Sequence, residues 1–307
     1  MEFQNINIRR ISDPSGLPGF AMGNKIVSTR CAGNRIALCR TRPFCGVKIF
    51  EKNGTMIRDI PLPYDVVFAA VRRNRIYGFS PYRDCVLLDL EGNTIPLPWK
   101  DWPKEKEYHD MSPDGSLLLY RETLYPSGTL EGLGEYRVKN LDTGVETILG
   151  KGMWEQEPKF LNNETILQRV IHGYGGLVCF DARTGKRTGS FLDRDCDGYT
   201  VDQDNGRVYA ALHDFSRGDE VYWTVYNLNG ELIYESREQG RWIYGCIALP
   251  LRNLAAYILV KDKGRQKEYE LCVHDSRQGR TVYREIVSQG TEIYASPDGQ
   301  ELYIMQA

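Results

Sequence analysis

A short turn signal recurs along this chain, and its spacing constrains the fold more than any other feature does. Two copies are nearly identical, Ser112-Pro113-Asp114-Gly115 and Ser296-Pro297-Asp298-Gly299. Weaker copies end at Asn34, Asn74, Asn163, Asp204 and Asn253. The steps between successive signals are 40, 40, 49, 41, 49 and 45 residues. Self-similarity at this period, with strand-like runs and no helical pattern, indicates an array of small β-sheets.

Each signal lies between two apolar stretches, as in Glu301-Leu302-Tyr303-Ile304 after the last one, and so predicts an inner hairpin. A second series of turns predicts six outer hairpins, with glycines at Gly54, Gly92, Gly144, Gly185, Gly230 and Gly279. We therefore predict an all-β, seven-bladed β-propeller that occupies residues 1–307 as a single domain. A six-bladed ring is the alternative if one inner hairpin is not a true blade.

The number of hairpins makes a further prediction about the two chain ends. The sequence predicts seven inner hairpins but only six outer ones, and it ends just after the seventh inner hairpin. The N-terminal segment from Asn5 to Ile11 alternates partly and can supply the missing outer strand. Pairing the first strand with the last blade would close the ring and remove two exposed sheet edges. The last blade would then have three strands.

The turns resemble those of known repeat proteins. The Ser-Pro-Asp-Gly turns, and outer turns such as Phe180-Asp181-Ala182-Arg183-Thr184-Gly185, are similar to those of WD-repeat-like and TolB-like propellers. The resemblance covers residues 25–306 and implies an architecture rather than a function. The Gly-His and Trp-Asp dipeptides of typical WD repeats are missing, so the WD family proper is not indicated.

The composition argues against several classes of function. Lys and Arg number 39 against 41 Asp and Glu, and this balance argues against general nucleic-acid binding, which needs a basic field. The eight cysteines form no C-x-x-C pair and are typical of buried thiols in a reducing compartment. The N-terminus has no apolar signal core, and no apolar run is long enough to span a membrane. We expect a cytoplasmic protein without membrane association.

Aromatic and arginine residues concentrate in the connections that share one face of a propeller, the top. Trp, Tyr and Arg dominate binding hot spots, and loops carry function more often than scaffolds do. The predicted binding surface consists of Phe44, Tyr82, Arg83, Trp102, Tyr125, Tyr174, Phe215, Arg217 and Trp242. These residues predict a non-catalytic scaffold that presents its top face to a protein or peptide. Packing between blades is the alternative for a tryptophan such as Trp242.

An enzyme that acts on a small molecule at the channel mouth is the alternative function. His109 could act as acid–base, assisted by Asp110, Glu155 or Glu157, as in a hydrolase or lyase. No spacing motif links these residues, and the alternative is that the histidine caps a strand or bonds a loop carbonyl. Neither a nucleophile elbow nor a phosphate-binding loop is present in the sequence.

The sequence of one acidic loop predicts a cation-binding site. Asp193-Arg194-Asp195-Cys196-Asp197-Gly198 matches the start of an EF-hand-like calcium loop, in which alternate carboxylates converge on the ion. The twelfth position is Asp204 rather than the usual bidentate Glu. Calcium at Asp193, Asp195 and Asp197 is the one cofactor that the sequence suggests. A solvated acidic loop without a cofactor is the alternative.

Overall fold

The computed structural model describes residues 6–11, 20–22, 25–30, 35–40, 46–51, 55–63, 66, 68–72, 74–79, 85–97, 106–123, 134–149, 155–170, 176–214, 220–249, 252–295 and 299–305. Within these ranges the chain forms 28 β-strands and no helix. The strands are β1 (Asn7–Ile11), β2 (Phe20–Met22), β3 (Lys25–Arg30), β4 (Arg35–Arg40), β5 (Gly46–Glu51), β6 (Met56–Pro61), β7 (Phe68–Arg72), β8 (Arg75–Phe79), β9 (Val86–Asp89), β10 (Thr94–Ile95), β11 (Lys106–Met111), β12 (Leu117–Thr123), β13 (Gly134–Asn140), β14 (Glu146–Leu149), β15 (Glu155–Phe160), β16 (Thr165–Val170), β17 (Leu177–Asp181), β18 (Arg187–Leu192), β19 (Cys196–Asp202), β20 (Arg207–His213), β21 (Glu220–Asn227), β22 (Leu232–Gln239), β23 (Trp242–Leu249), β24 (Leu254–Lys263), β25 (Gln266–Asp275), β26 (Arg280–Val287), β27 (Glu292–Ala295) and β28 (Glu301–Met305).

The strands form seven sheets in the described part of the chain, and in six of them the strands lie side by side in chain order. Five sheets have four strands, namely β7–β10, β11–β14, β15–β18, β19–β22 and β23–β26. The first sheet has a fifth strand because β2 precedes β3, and the last contains β27, β28 and β1. Seven separate up-and-down sheets in chain order define a seven-bladed β-propeller, so the predicted fold class is confirmed.

The predicted pairing of the two chain ends is also confirmed. Strand β1 lies beside β28, with Ile8 opposite Leu302 and Arg9 opposite Tyr303. The pairing is parallel, and the Asn7 side-chain amide donates a hydrogen bond to Glu301 at 3.1 Å. The last sheet has three strands within the described residues, as expected from the hairpin count.

Outer turns are built by one recurring hydrogen-bond pattern. A side-chain oxygen at the end of the third strand accepts hydrogen bonds from two backbone N–H groups of the turn that follows. The five residues that do this are Asp89, Asn140, Asp181, Asn227 and Asp275. The predicted turn glycines in the described range adopt positive φ, between 61° and 91°, at Gly92, Gly144, Gly185, Gly230 and Gly279. The local chemistry of Asp, Asn and Gly therefore sets these turns.

The strands group into two compact units, one formed mainly by β2–β18 and the other by β1 and β19–β28. In the first unit, β12 shows how a strand serves two cores. Leu118 and Tyr120 pack in one apolar cluster, whereas Leu117 and Leu119 pack in another. Successive side chains point to opposite faces, so a strand buried on both faces reads as a continuous apolar run.

In the second unit, a column of aromatic rings fills the space between the sheets β19–β22 and β23–β26. The Trp223 ring stacks 4.2 Å from that of Tyr257 and 5.9 Å from that of Tyr209. His274 is fully buried at the end of this column, with its ring 4.6 Å from that of Tyr234. Burial penalises the charged imidazolium and lowers the pKa of His274 to about 4.

A network of ion pairs joins the same two sheets. Arg284 of β26 contacts Glu238 of β22 at 2.8 Å and Glu270 of β25 at 2.8 Å. Lys261 of β24 also contacts Glu270, at 2.7 Å. Burial alone would raise the pKa of Glu270, but hydrogen bonds from Lys261 and Arg284 hold that pKa below its usual value. Charges from four strands thus specify how the two sheets are placed against each other.

Candidate binding site at the β24–β25 hairpin

Of the nine predicted binding-surface residues, Trp242 lies in the described part of the chain. The other eight lie outside it, and for them the prediction remains untested. They are Phe44, Tyr82, Arg83, Trp102, Tyr125, Tyr174, Phe215 and Arg217. The site can therefore be built from Trp242 and the elements that surround it.

Trp242 is the first residue of β23 and is half-buried. Its ring packs against the apolar cluster of the last two sheets, as the alternative interpretation of this residue expected. The ring also faces two cations: the Arg241 guanidinium carbon lies 5.2 Å and the Lys267 Nζ 4.3 Å from its centroid. Both distances are within the range of cation–π attraction. Trp242 is thus an apolar anchor with a cationic rim.

A close backbone approach fixes the entry of this strand. Gly240 is buried, and a Cβ atom there would lie 2.5 Å from Leu259 Cδ1 and 2.9 Å from the Val260 carbonyl oxygen. The following residue, Arg241, donates its backbone N–H to the same carbonyl at 2.7 Å. A side chain at Gly240 would push the chain away from β24 and would move Arg241 and Trp242 with it.

The neighbouring hairpin is the longest in the described chain, because β24 and β25 have ten residues each. Six consecutive residues at its tip, 262–267, are exposed. Arg241 pairs with Asp262 at 3.2 Å, and Lys263 pairs with Glu268 at 3.6 Å. The entry of β23 and the hairpin tip thus carry four cations and two carboxylates, and two of the cations, Arg241 and Lys267, lie beside the Trp242 ring. We call Arg241, Trp242, Asp262, Lys263, Arg265, Lys267 and Glu268 the hairpin-tip surface.

The acidic loop predicted to bind calcium is split by the start of β19. Asp193 is exposed, and its neighbour Arg194 pairs with Glu235 at 2.5 Å. Asp197 lies inside the strand, where one carboxylate oxygen is 3.9 Å from His213 Nδ1. Among the residues described, no group of three or more His, Cys, Asp and Glu side chains is arranged to hold a metal ion. Calcium at Asp193, Asp195 and Asp197 stays a prediction.

The candidate acid–base residues lie on β11 and β15, the first strands of two successive sheets in the unit formed mainly by β2–β18. The His109 ring of β11 contacts the Tyr136 ring edge-on at 5.2 Å. The Asp110 carboxylate accepts backbone hydrogen bonds from Met111 and Phe160, both at 2.8 Å, and so ties β11 to β15. Glu155 and Glu157 belong to β15, but their side chains lie outside the described part of the structure.

One feature of these strands was not visible in the sequence. The first strand of four successive sheets has a register irregularity opposite the second strand, in β11, β15, β19 and β23. At these irregularities, His109, Glu157, Asp197 and Cys246 have no paired residue in the register between the first and second strands. Bulges re-aim side chains and are frequent beside functional sites. A bulge depends on cross-strand register, which the sequence pattern of one strand does not fix.

The seven successive sheets place this chain in the class of β-propellers. Neither the comparison with protein-family models nor that with curated proteins found a match. Among solved structures, an oligogalacturonate lyase in complex with manganese is similar, with 9% identity and a TM-score of 0.55 over 89% of this chain and 84% of that one. At this identity the likeness concerns the fold alone.

Two further solved structures have lower TM-scores. A eukaryotic initiation factor matches with 11% identity and a TM-score of 0.47, over 88% of this chain and 64% of that one. TolB from Acinetobacter baumannii matches with 13% identity and a TM-score of 0.44, over 89% of this chain and 67% of that one. In the described residues no helix has the length and apolar character needed to cross a membrane.

Proposed function

We propose that this protein is a non-catalytic binding module that presents the loop end of its sheets to a protein or peptide. The observation that carries the proposal is the environment of Trp242, which is half-buried beside Arg241 and Lys267 at the base of an exposed hairpin. Tryptophan and arginine are the residues most enriched at binding hot spots. A rigid aromatic anchor with a polar rim is the usual centre of a protein interface.

The predicted loop residues support the same surface. Phe215 and Arg217 belong to the connection between β20 and β21, the counterpart of the turn between β24 and β25 in the next sheet. Connections between second and third strands all leave their sheets at one end, so aromatic side chains there would extend the surface around Trp242. Loops held on a rigid scaffold are the common location of binding residues.

Affinity capture with the immobilised full chain tests this proposal. We expect one specific partner from a native lysate of the source cells, lost when Trp102, Tyr125 and Phe215 are all replaced by alanine. The matched control replaces three exposed apolar residues near outer turns, Val145, Leu232 and Ile233, by alanine. A partner retained by the loop variant, or lost equally by the control, would contradict the proposal, and so would the absence of any partner.

A second candidate is the predicted hydrolase or lyase. The observation that favours it is the bulge at His109 in β11, because bulges re-aim side chains and are frequent beside functional sites. The similar lyase supplies a substrate to try. Oligogalacturonate incubated with the chain, with and without manganese, should yield shorter products that His109→Asn abolishes. Unchanged substrate under both conditions would count against this candidate.

A further inference from the structure

We propose that the hairpin-tip surface binds an acidic peptide segment, with Trp242 contacting an apolar side chain and Arg265 and Lys267 pairing with carboxylates. This inference rests on the proposed function and names the chemistry of the partner. It is carried by the shape of the hairpin, by the pairing of its charges and by the position of Trp242.

The tip of the hairpin is pre-organised. Lys263 lies opposite Gln266, so Gly264 and Arg265 alone form the loop between the strands. Gly264 has a φ of +65°, which suits the first central position of a type II′ turn, whereas Arg265 keeps a negative φ. The ladder between β24 and β25 continues without interruption from Leu254 to Lys263. A tip of this kind loses little conformational entropy when a partner binds.

Charge at the tip is not balanced locally. Two of the four cations are neutralised, since Arg241 pairs with Asp262 and Lys263 with Glu268. Arg265 and Lys267 form no ion pair in the described part of the chain, although both are exposed. The Lys267 ammonium contacts the Trp242 ring instead. The surface thus presents two cations that form no ion pair among the described residues, Lys267 beside the Trp242 ring and Arg265 at the hairpin tip. Complementary charge steers a partner to such a surface.

The arrangement favours a peptide over a nucleic acid. A nucleic-acid backbone carries evenly spaced phosphates and is bound by a continuous basic stripe. At this tip the carboxylates of Asp262 and Glu268 interrupt the cations, and the whole chain has a formal net charge of -2. Isolated carboxylates of a peptide can contact Arg265 and Lys267 while avoiding these two anions.

The test pans a phage-displayed library of random dodecapeptides on the full chain and on the charge-reversed variant Lys263→Glu/Arg265→Glu/Lys267→Glu. The matched control reverses the same number of exposed cations on the β17–β18 hairpin, Arg183→Glu/Lys186→Glu/Arg187→Glu. Peptides selected by the wild type should be enriched at least threefold in Asp and Glu over the input. Their affinity should fall at least tenfold in the hairpin variant and less than twofold in the control.

Selected peptides without acidic enrichment, or with equal affinity for all three proteins, would overturn the inference. Binding of a single-stranded RNA oligonucleotide that only the hairpin variant loses would overturn it as well. The captured partner separates this failure from failure of the proposed function. If a partner is captured through the loops and the hairpin variant still binds it, the inference fails and the proposed function stands.

Discussion

At the scale of single residues, the Asp181 carboxylate shows how a side chain sets a turn. It accepts hydrogen bonds from the backbone N–H groups of Arg183 and Thr184 and from the Thr184 hydroxyl. These bonds stabilise the ionised form, so the pKa of Asp181 lies below its usual 3.8. The turn needs an acceptor at this position, and the sequence pattern found it because the interaction is local.

Asp181→Ala should lower the free energy of unfolding by roughly 1–2 kcal/mol at pH 7, because the turn N–H groups lose their acceptor. Asp181→Asn keeps the acceptor oxygen and serves as the control. The extra stability of the ionised carboxylate is present above pH 3.8 and is lost as pH falls through the lower folded-state pKa. Urea titrations at several pH values measure this, and equal losses for both variants would contradict it.

His274 should make stability depend on pH in a different window. Its folded-state pKa of about 4 lies below the ordinary 6.5, so the unfolded chain binds the proton first as pH falls. The contribution of the neutral ring is fully present above pH 6.5 and decreases by up to roughly 3 kcal/mol down to pH 4. His274→Phe should flatten the plot of unfolding free energy against pH between these values. An unchanged slope would refute this role.

At the scale of elements, the sequence predicts hairpins well and contacts between strands poorly. The turn glycines and the residues beside them act within a few positions, so periodicity and composition located them. The ion pair between Glu238 and Arg284 joins residues 46 positions apart. Strand register and the packing of two sheets bring these two residues together. A single sequence contains no signal for the register or for the packing. The bulges at His109 and Asp197 were missed for the same reason.

The Glu238–Arg284 pair should show energetic coupling. Arg284→Met alone leaves the largely buried Glu238 carboxylate without its main cation, and Glu238→Gln removes the anion. A double-mutant cycle followed by chemical denaturation should give a coupling of roughly 1 kcal/mol, modest because Arg284 is 37% exposed. The Arg237–Glu220 pair, which lies within the single sheet β19–β22, provides a matched cycle. Additive effects of the Glu238 and Arg284 substitutions would contradict the coupling.

Strand β1 should protect the last sheet. Ile8 packs against the apolar cluster that contains Leu302 and Ile304, so Ile8→Asp places a charge beside that cluster. We expect a loss of roughly 1–3 kcal/mol and faster amide hydrogen exchange across β28. Ile8→Val keeps the packing and is the control. Exchange in β28 that is the same in both variants would show that β1 does not stabilise it.

At the scale of the whole molecule, the repeat period predicted seven sheets because each sheet reuses the same local turns. The direction of β1 was not predicted, since alternation along a strand is the same whether it pairs parallel or antiparallel. The hairpin-tip surface was predicted only in part. Trp242 was found by composition, but its cationic neighbours depend on how β23 lies against the β24–β25 hairpin.

Cysteine reactivity can report on global unfolding. Among the described cysteines, Cys85, Cys196 and Cys272 are buried and Cys179 and Cys246 are partly exposed. Burial raises the pKa of Cys272 to about 12, so little reactive thiolate forms in the folded protein. Alkylation at pH 8 followed by peptide mass spectrometry should label the three buried thiols at least tenfold more slowly than Cys246. Denaturant should abolish the difference, and equal native rates would contradict the described core.

The parallel contact between β1 and β28 has a consequence for biosynthesis. Asn7 and Glu301 are 294 residues apart, and ribosomes add about 5–20 residues per second, so the first strand waits on the order of 15–60 s for its partner. During that interval the amides of β1 have no ladder in the growing polypeptide. The nascent chain therefore exposes unpaired backbone groups of β1 until β28 leaves the exit tunnel, and chaperones that shield extended segments would act in this period.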